Sequence, residues 1–153
     1  MKLFQINRQQ CLPLSIEEAW TFFSDPRNLQ KITPPSLRFE VLSDLPERIY
    51  PGELITYRIR PFLGIPLKWI TEITHVFEPR LFIDEQRFGP YRFWQHQHHF
   101  RRIAGGVEVR DLVHYSLYGG PLASLIDTAV VRKQLTTIFD YRREYLEKTF
   151  GSL

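Results

Sequence analysis

The chain is poor in most features that mark a covalent or electrostatic specialist. Its 153 residues include one cysteine, Cys11, which excludes an internal disulfide and a zinc site built from cysteines alone. No run of about 18 apolar residues occurs, so no membrane span is expected. Charge is nearly balanced, with 20 Lys and Arg against 17 Asp and Glu, a net +3, and the signs are interleaved. The densest basic stretches are the pairs Arg101-Arg102 and Arg142-Arg143. A nucleic-acid binder concentrates such residues on one face, so no nucleic-acid partner is expected. Repeats, low-complexity tracts and linkers are missing too. The N-terminus reads as a strand from Lys2 rather than as a secretion signal. The expectation is one cytoplasmic domain spanning residues 1–153.

What the chain does hold is aromatic surface: 12 Phe, 7 Tyr and 3 Trp. This length suffices for a sizeable core. Aromatic-rich interiors suit either a filled core or an apolar pocket.

Periodicity orders the chain. Residues 2–12 alternate as a strand with Phe4 and Ile6 on one face. Ser15 and Glu18 have the spacing of a capping box, ahead of an apolar side made by Ile16, Ala19, Trp20 and Phe23. Asp25-Pro26 restarts a short helix through Leu29 and Ile32, which Thr33-Pro34-Pro35 ends. Strands are expected at about 37–44, 53–60, 66–78, 81–88, 91–103 and 106–118, with bends at Pro51-Gly52, Leu63-Gly64, Glu78-Pro79-Arg80, Gly89-Pro90 and Gly105-Gly106. Connections this short do not admit parallel crossovers, so the sheet should be an antiparallel meander. From about Leu122 to Phe150 runs one helical pattern carrying Leu125, Ile126, Ala129, Leu135, Ile138, Phe139, Tyr145 and Leu146. Such a helix is roughly 40 Å long, and its stripe can be buried only against the sheet. On this tail Arg132, Lys133, Arg142 and Arg143 read as its solvated side.

Candidate chemistry gathers on the sheet. In Tyr91–Phe100, strand alternation puts Trp94, His96, His98 and Phe100 on one face, and the large apolar ends assign that face inward. The next strand buries Val107, Val109, Asp111, Val113, Tyr115 and Leu117; a buried carboxylate needs partners, and an inward imidazole is an obvious one. By the same rule Phe82, Asp84, Gln86 and Phe88 share a face, as do Trp69, Thr71, Ile73, His75 and Phe77. The ligand-facing candidates are therefore Trp69, Thr71, His75, Asp84, Gln86, Trp94, His96, His98, Asp111 and Tyr115. A few convergent polar groups among aromatics describe a small-molecule site. They also describe a buried hydrogen-bonded network that fixes strand register, and the two readings are compatible. No tight metal-ligand motif accompanies the histidines, so neither metal nor cofactor is expected. A His–Asp pair suits proton transfer, with His96, His98 and Asp111 as catalytic candidates, but no nucleophile or oxyanion hole is legible. A third reading makes Phe88 and Tyr91 an exposed contact for a partner protein.

These residues, with Trp69-Ile-Thr-Glu-Ile73, Phe82-Ile-Asp-Glu-Gln86 before Gly89-Pro90, Trp94-Gln-His-Gln-His98, Asp111-Leu-Val-His-Tyr115, Gly119-Gly-Pro-Leu122 and Ile138-Phe-Asp-Tyr-Arg142, resemble the SRPBCC superfamily. That superfamily includes START lipid-transfer domains, birch-pollen-allergen relatives and aromatic polyketide cyclases. The likeness covers nearly the whole chain and lies in the order and spacing of segments rather than in one motif. It implies an α+β helix-grip fold, a seven-stranded curved antiparallel sheet around a long C-terminal helix, with two short helices after the first strand. It also implies a cavity for a small hydrophobic or aromatic ligand. It does not choose between carriers, receptors and enzymes. Ligand binding is the leading expectation, and a cyclase or dehydratase the alternative.

Overall fold

Sheet and helix follow one another in the order the periodicities predict. The computed structural model describes residues 2–122 and 126–153; Leu125, counted above on the tail stripe, lies outside them. Strands β1 (Phe4–Leu12), β2 (Glu40–Val41), β3 (Leu54–Phe62), β4 (Ile65–Phe77), β5 (Leu81–Phe88), β6 (Phe93–Ile103) and β7 (Gly106–Ser116) form one seven-stranded antiparallel sheet. Its order is β1-β7-β6-β5-β4-β3-β2, a meander from β2 to β7 with β1 laid beside β7. β2 is shorter than the expected 37–44, because Pro35–Leu37 forms a 3-10 turn and Arg38 takes a left-handed φ of 45°. Such a φ interrupts extended backbone.

Helix α1 (Ile16–Phe23) begins with the expected capping box: Glu18 N–H donates to Ser15 Oγ at 3.1 Å, and Ser15 N–H donates to the Glu18 carboxylate at 2.8 Å. It lays Trp20 edge-on against Phe82 and Phe100. The second short helix is only a 3-10 turn, Pro26–Asn28, capped by Asp25. Helix α2 (Arg132–Phe150) crosses the concave face and buries Leu135, Phe139, Arg142 and Leu146.

Three local irregularities re-aim side chains. In β4 the register passes from Ile73 opposite Asp84 to His75 opposite Ile83, which leaves Thr74 as an extra residue. A bulge of this kind reverses the faces beyond it. Val76 therefore packs against the core, while Phe77 is 60% exposed and His75 is exposed, contrary to the inward placement expected for both. In β5 the register passes from Thr71 opposite Gln86 to Ile70 opposite Phe88, so Arg87 is the extra residue and Phe88 turns outward. Finally, α2 is preceded by a π-helical turn, Asp127–Val131. The wider turn shifts helical phase, so Ile126 and Ala129 are exposed and Val131 begins the buried stripe.

Candidate ligand site

Two apolar clusters divide the interior. One gathers Leu12, Trp20, Ile73, Phe82, Phe100 and Leu146; the other gathers Phe4, Tyr91, Trp94, Tyr115, Leu135 and Phe139. Trp69 packs against both. Between them lies a cavity of about 200 Å³, walled by the concave face of β3 to β6, by α2 and by the segment after α1. A void large enough for several waters or a small organic ring, lined mainly by apolar carbon, differs from the close packing of ordinary interiors. Phe22, Leu29, Phe39, Ile55, Tyr57, Phe82 and Phe139 supply much of its wall. Gln134 on α2 donates to the Pro61 carbonyl of β3 at 2.8 Å and ties helix to sheet beside it.

One polar patch of the wall comes from facing positions on adjacent strands. Asp84 lies opposite His96, and His98 lies opposite both Phe82 and Asp111. Directly opposed residues share a face, so strand pairing alone brings four polar side chains together. The two imidazoles lie against each other, centroids 3.7 Å apart, and His98 stacks on Phe82 at 4.0 Å. His96 Nε2 lies 2.6 Å from Asp111 Oδ1, and His98 Nε2 lies 2.7 Å from Asp84 Oδ2. A carboxylate only accepts, so each Nε2 carries the proton. Behind them Arg142 Nη1 donates to the same Asp111 oxygen at 3.1 Å, and its guanidinium lies over the Phe139 ring. Burial alone would push the Asp111 carboxyl up. Arg142, the His96 hydrogen bond and the two imidazoles outweigh it and hold that carboxyl well below the usual range. Burial, then the neighbouring His96, push His98 down to about 4, against the pull of Asp84. His98 is thus a neutral imidazole near pH 7. Among the described residues its Nδ1 and Arg142 Nε are buried without a hydrogen-bond partner, as is Trp69 Nε1.

Of the candidates read from the sequence, Trp69, Thr71, Asp84, Trp94, His96 and His98 line the cavity. Asp111 stands one layer behind, between the imidazoles and Arg142. Gln86 braces the turn after β5 instead: its Nε2 donates to the Tyr91 carbonyl at 2.6 Å, and its Oε1 accepts from Tyr91 N–H. Tyr115 is fully buried under Phe4, Tyr91 and Trp94 and donates its hydroxyl to Asp127. His75 points away and bonds its neighbour Thr74. The proposed partner contact at the β5–β6 hairpin is split, with Phe88 outward and Tyr91 buried. Arg142, read as solvated, is 6% exposed. Its spacing from Leu135, Phe139 and Leu146 places it on the buried helical stripe, the signal that would have found it.

No family model matches the sequence, and no curated protein matches it. Solved structures do. The chain is similar to protein Ms6760 of Mycobacterium smegmatis, with a TM-score of 0.66, 19% identity, and 97% of this chain and 98% of that one covered. It is similar to protein TTHA0849 of Thermus thermophilus, with a TM-score of 0.72, 16% identity and 95% of each chain covered. It is also similar to a Thalictrum norcoclaurine synthase point mutant in complex with a transition-state analogue, with a TM-score of 0.66, 12% identity and 96% of each chain covered. Likeness at these identities is likeness of fold: the chain shares with these structures the helix-grip fold, a curved seven-stranded antiparallel sheet around a long C-terminal helix.

Proposed function

We propose that the chain acts as one domain that binds a small, largely hydrophobic or aromatic ligand between sheet and C-terminal helix, with the ligand's polar end toward Asp84, His96 and His98. The single observation that carries this reading is the 200 Å³ cavity, apolar over most of its wall and with Asp84, His96 and His98 side by side in that wall. Burying an apolar ligand there releases about 25 cal/mol for each Å² removed from water, and the imidazole–carboxylate pairs set its orientation. A reducing, cytoplasmic setting fits the single free Cys11, and no nucleic acid is involved. Two measurements test it. Native mass spectrometry of the purified protein should find a co-purified small molecule, and Trp69 and Trp94 fluorescence should change on titration with apolar metabolites. A library that leaves both the fluorescence and the melting temperature unmoved refutes it.

A second reading is an enzyme of the cyclase or dehydratase type. It draws support from the two imidazole–carboxylate pairs at the cavity, one buried at 2.6 Å and one half-buried at 2.7 Å, and from a neighbour of the same fold that is a synthase. In this reading His96, oriented by Asp111, or His98 transfers the proton. His96→Gln and His98→Gln should then abolish turnover while ligand binding survives. Turnover equal to that of the unaltered protein removes the reading.

A further inference from the structure

The Asp84, His96 and His98 side chains present more to the cavity than hydrogen bonds. One atom from each, two ring nitrogens and one carboxylate oxygen, lies within 4.8 Å of the other two. Asp84 Oδ2 lies 2.7 Å from His98 Nε2 and 3.8 Å from His96 Nδ1. All three residues line the cavity, and both imidazoles are buried. We infer that these three side chains form a binding site for a divalent first-row transition ion, with its remaining coordination position toward the cavity. The inference goes beyond the apolar-ligand reading and does not depend on it.

Ligand type comes first. Two imidazole nitrogens and one carboxylate oxygen suit zinc and its neighbours rather than calcium or magnesium, which take oxygen donors. Three protein ligands with one open position is the arrangement of reactive rather than purely structural zinc sites. Scale comes next. Ligands about 2.0–2.2 Å from zinc at tetrahedral angles stand roughly 3.3 Å from one another, and the 2.7 and 3.8 Å separations bracket that value.

The outer contacts complete the case. A metal-ligating imidazole ordinarily donates its other N–H to a carboxylate. His96 does so already, from Nε2 to Asp111 at 2.6 Å. Its Nδ1, 3.8 Å from Asp84 Oδ2, is the ring nitrogen left to meet a cation. Metal at His98 Nε2 displaces that proton to Nδ1. This atom has no partner now and lies 3.4 Å from Asp111 Oδ1. Asp111 thereby becomes the outer acceptor for both imidazoles, and Arg142 holds it in place from behind. The sequence expectation of no metal rested on spacing along the chain. Here the donors converge across β5 and β6, where spacing is silent.

The test uses metal alone. Protein dialysed against a chelator and titrated with Co²⁺ should develop a visible d–d absorption band that saturates at one equivalent and is abolished by Zn²⁺, with a raised melting temperature. Asp84→Asn keeps the side-chain volume, and His96→Gln removes a nitrogen ligand. In folded variants, checked by circular dichroism, each should weaken Co²⁺ binding at least about 100-fold, beyond the 10–100-fold that outer-shell changes cost. His75→Gln and His99→Gln, on imidazoles outside the triad, should leave it unchanged. The inference falls if the folded protein gives no band. It also falls if the band survives Asp84→Asn or His96→Gln, or disappears with His75→Gln or His99→Gln. Such a failure leaves the cavity reading standing, since that reading is tested by apolar ligands without metal.

Discussion

Strand β7 meets the C-terminal helical segment at two buried carboxylates that are held in different ways. At one end Asp127 accepts from the Tyr115 hydroxyl with one oxygen and from Arg132 Nε, at 3.2 Å, with the other. Both oxygens are used, Arg132 reaches out to solvent, and neither Asp127 nor Tyr115 lines the cavity. Burial and the Asp127 hydrogen bond push the Tyr115 hydroxyl well above its ordinary range, so it stays a donor. At the other end one Asp111 oxygen serves both His96 and Arg142, while His98 Nδ1 and Arg142 Nε lack hydrogen-bond partners among the described residues. The first contact closes a joint where the π turn enters the helix. The second keeps spare valence in a low-dielectric place next to open volume. Buried polar groups without partners are costly, and under the proposed function a ligand in the cavity offsets part of that cost.

The largest effect should follow from separating the second contact. Asp111→Ala leaves the Arg142 guanidinium buried without its carboxylate, and loss of one partner of a buried pair costs about 3–5 kcal/mol. Denaturant titration should show this as a fall in midpoint at unchanged slope. Asp127→Asn should cost less, about 1–3 kcal/mol, because it weakens hydrogen bonds to one buried hydroxyl and to an arginine already half in water. It should leave ligand fluorescence unchanged. If the two variants cost the same, the distinction drawn between the contacts is wrong.

How far the sequence carried this distinction can be traced residue by residue. The inward face of β6 followed from the large apolar residues Trp94 and Phe100, and Asp111 from its place among valines; both readings needed only the twofold alternation of a strand. The capping box needed only Ser15 and Glu18. What alternation cannot carry is an extra residue, because Thr74 and Arg87 look like any other strand positions until a partner strand is set against them. The β4 bulge turned two predicted inward residues, His75 and Phe77, to the outside, and the β5 bulge turned Phe88. The π turn did the same to Ile126 and Ala129. Arg142 was misread for another reason: charge was taken as a sign of solvent, although a buried Asp111 calls for a buried cation.

A third carboxylate sharpens the comparison from the apolar side. Glu53, just before β3, is 4% exposed, and both its carboxylate oxygens lack hydrogen-bond partners among the described residues. Burial pushes its carboxyl above the ordinary 4.5, only partly offset by the nearby Tyr50 backbone. The folded state therefore holds its proton more tightly than the unfolded one. Its contribution is fully present below about pH 4.5 and is lost as pH rises through the folded value. Glu53→Gln removes that titration. The variant should be more stable than the unaltered protein at pH 7, with the gap narrowing toward pH 4 in thermal melts. A gap that is constant with pH would mean that Glu53 titrates alike in both states.

The smallest effect is the most direct check on the bulge at Thr74. His75 carries the same imidazole as His96 and His98, and unbroken alternation would have placed it on the inner face with them. With Thr74 inserted it stands in solvent, held only to Thr74 Oγ1 at 3.0 Å. An exposed side chain with one local contact contributes within about 0.5 kcal/mol. His75→Ala should therefore shift the denaturation midpoint almost imperceptibly and leave Trp94 fluorescence on ligand titration unchanged, whereas His98→Ala opens a gap against Phe82 and alters both. If His75→Ala instead weakened binding as His98→Ala does, β4 would have to run without its bulge. Val76 and Phe77 would then exchange faces, and the cavity wall would need to be redrawn from Ile73 onward.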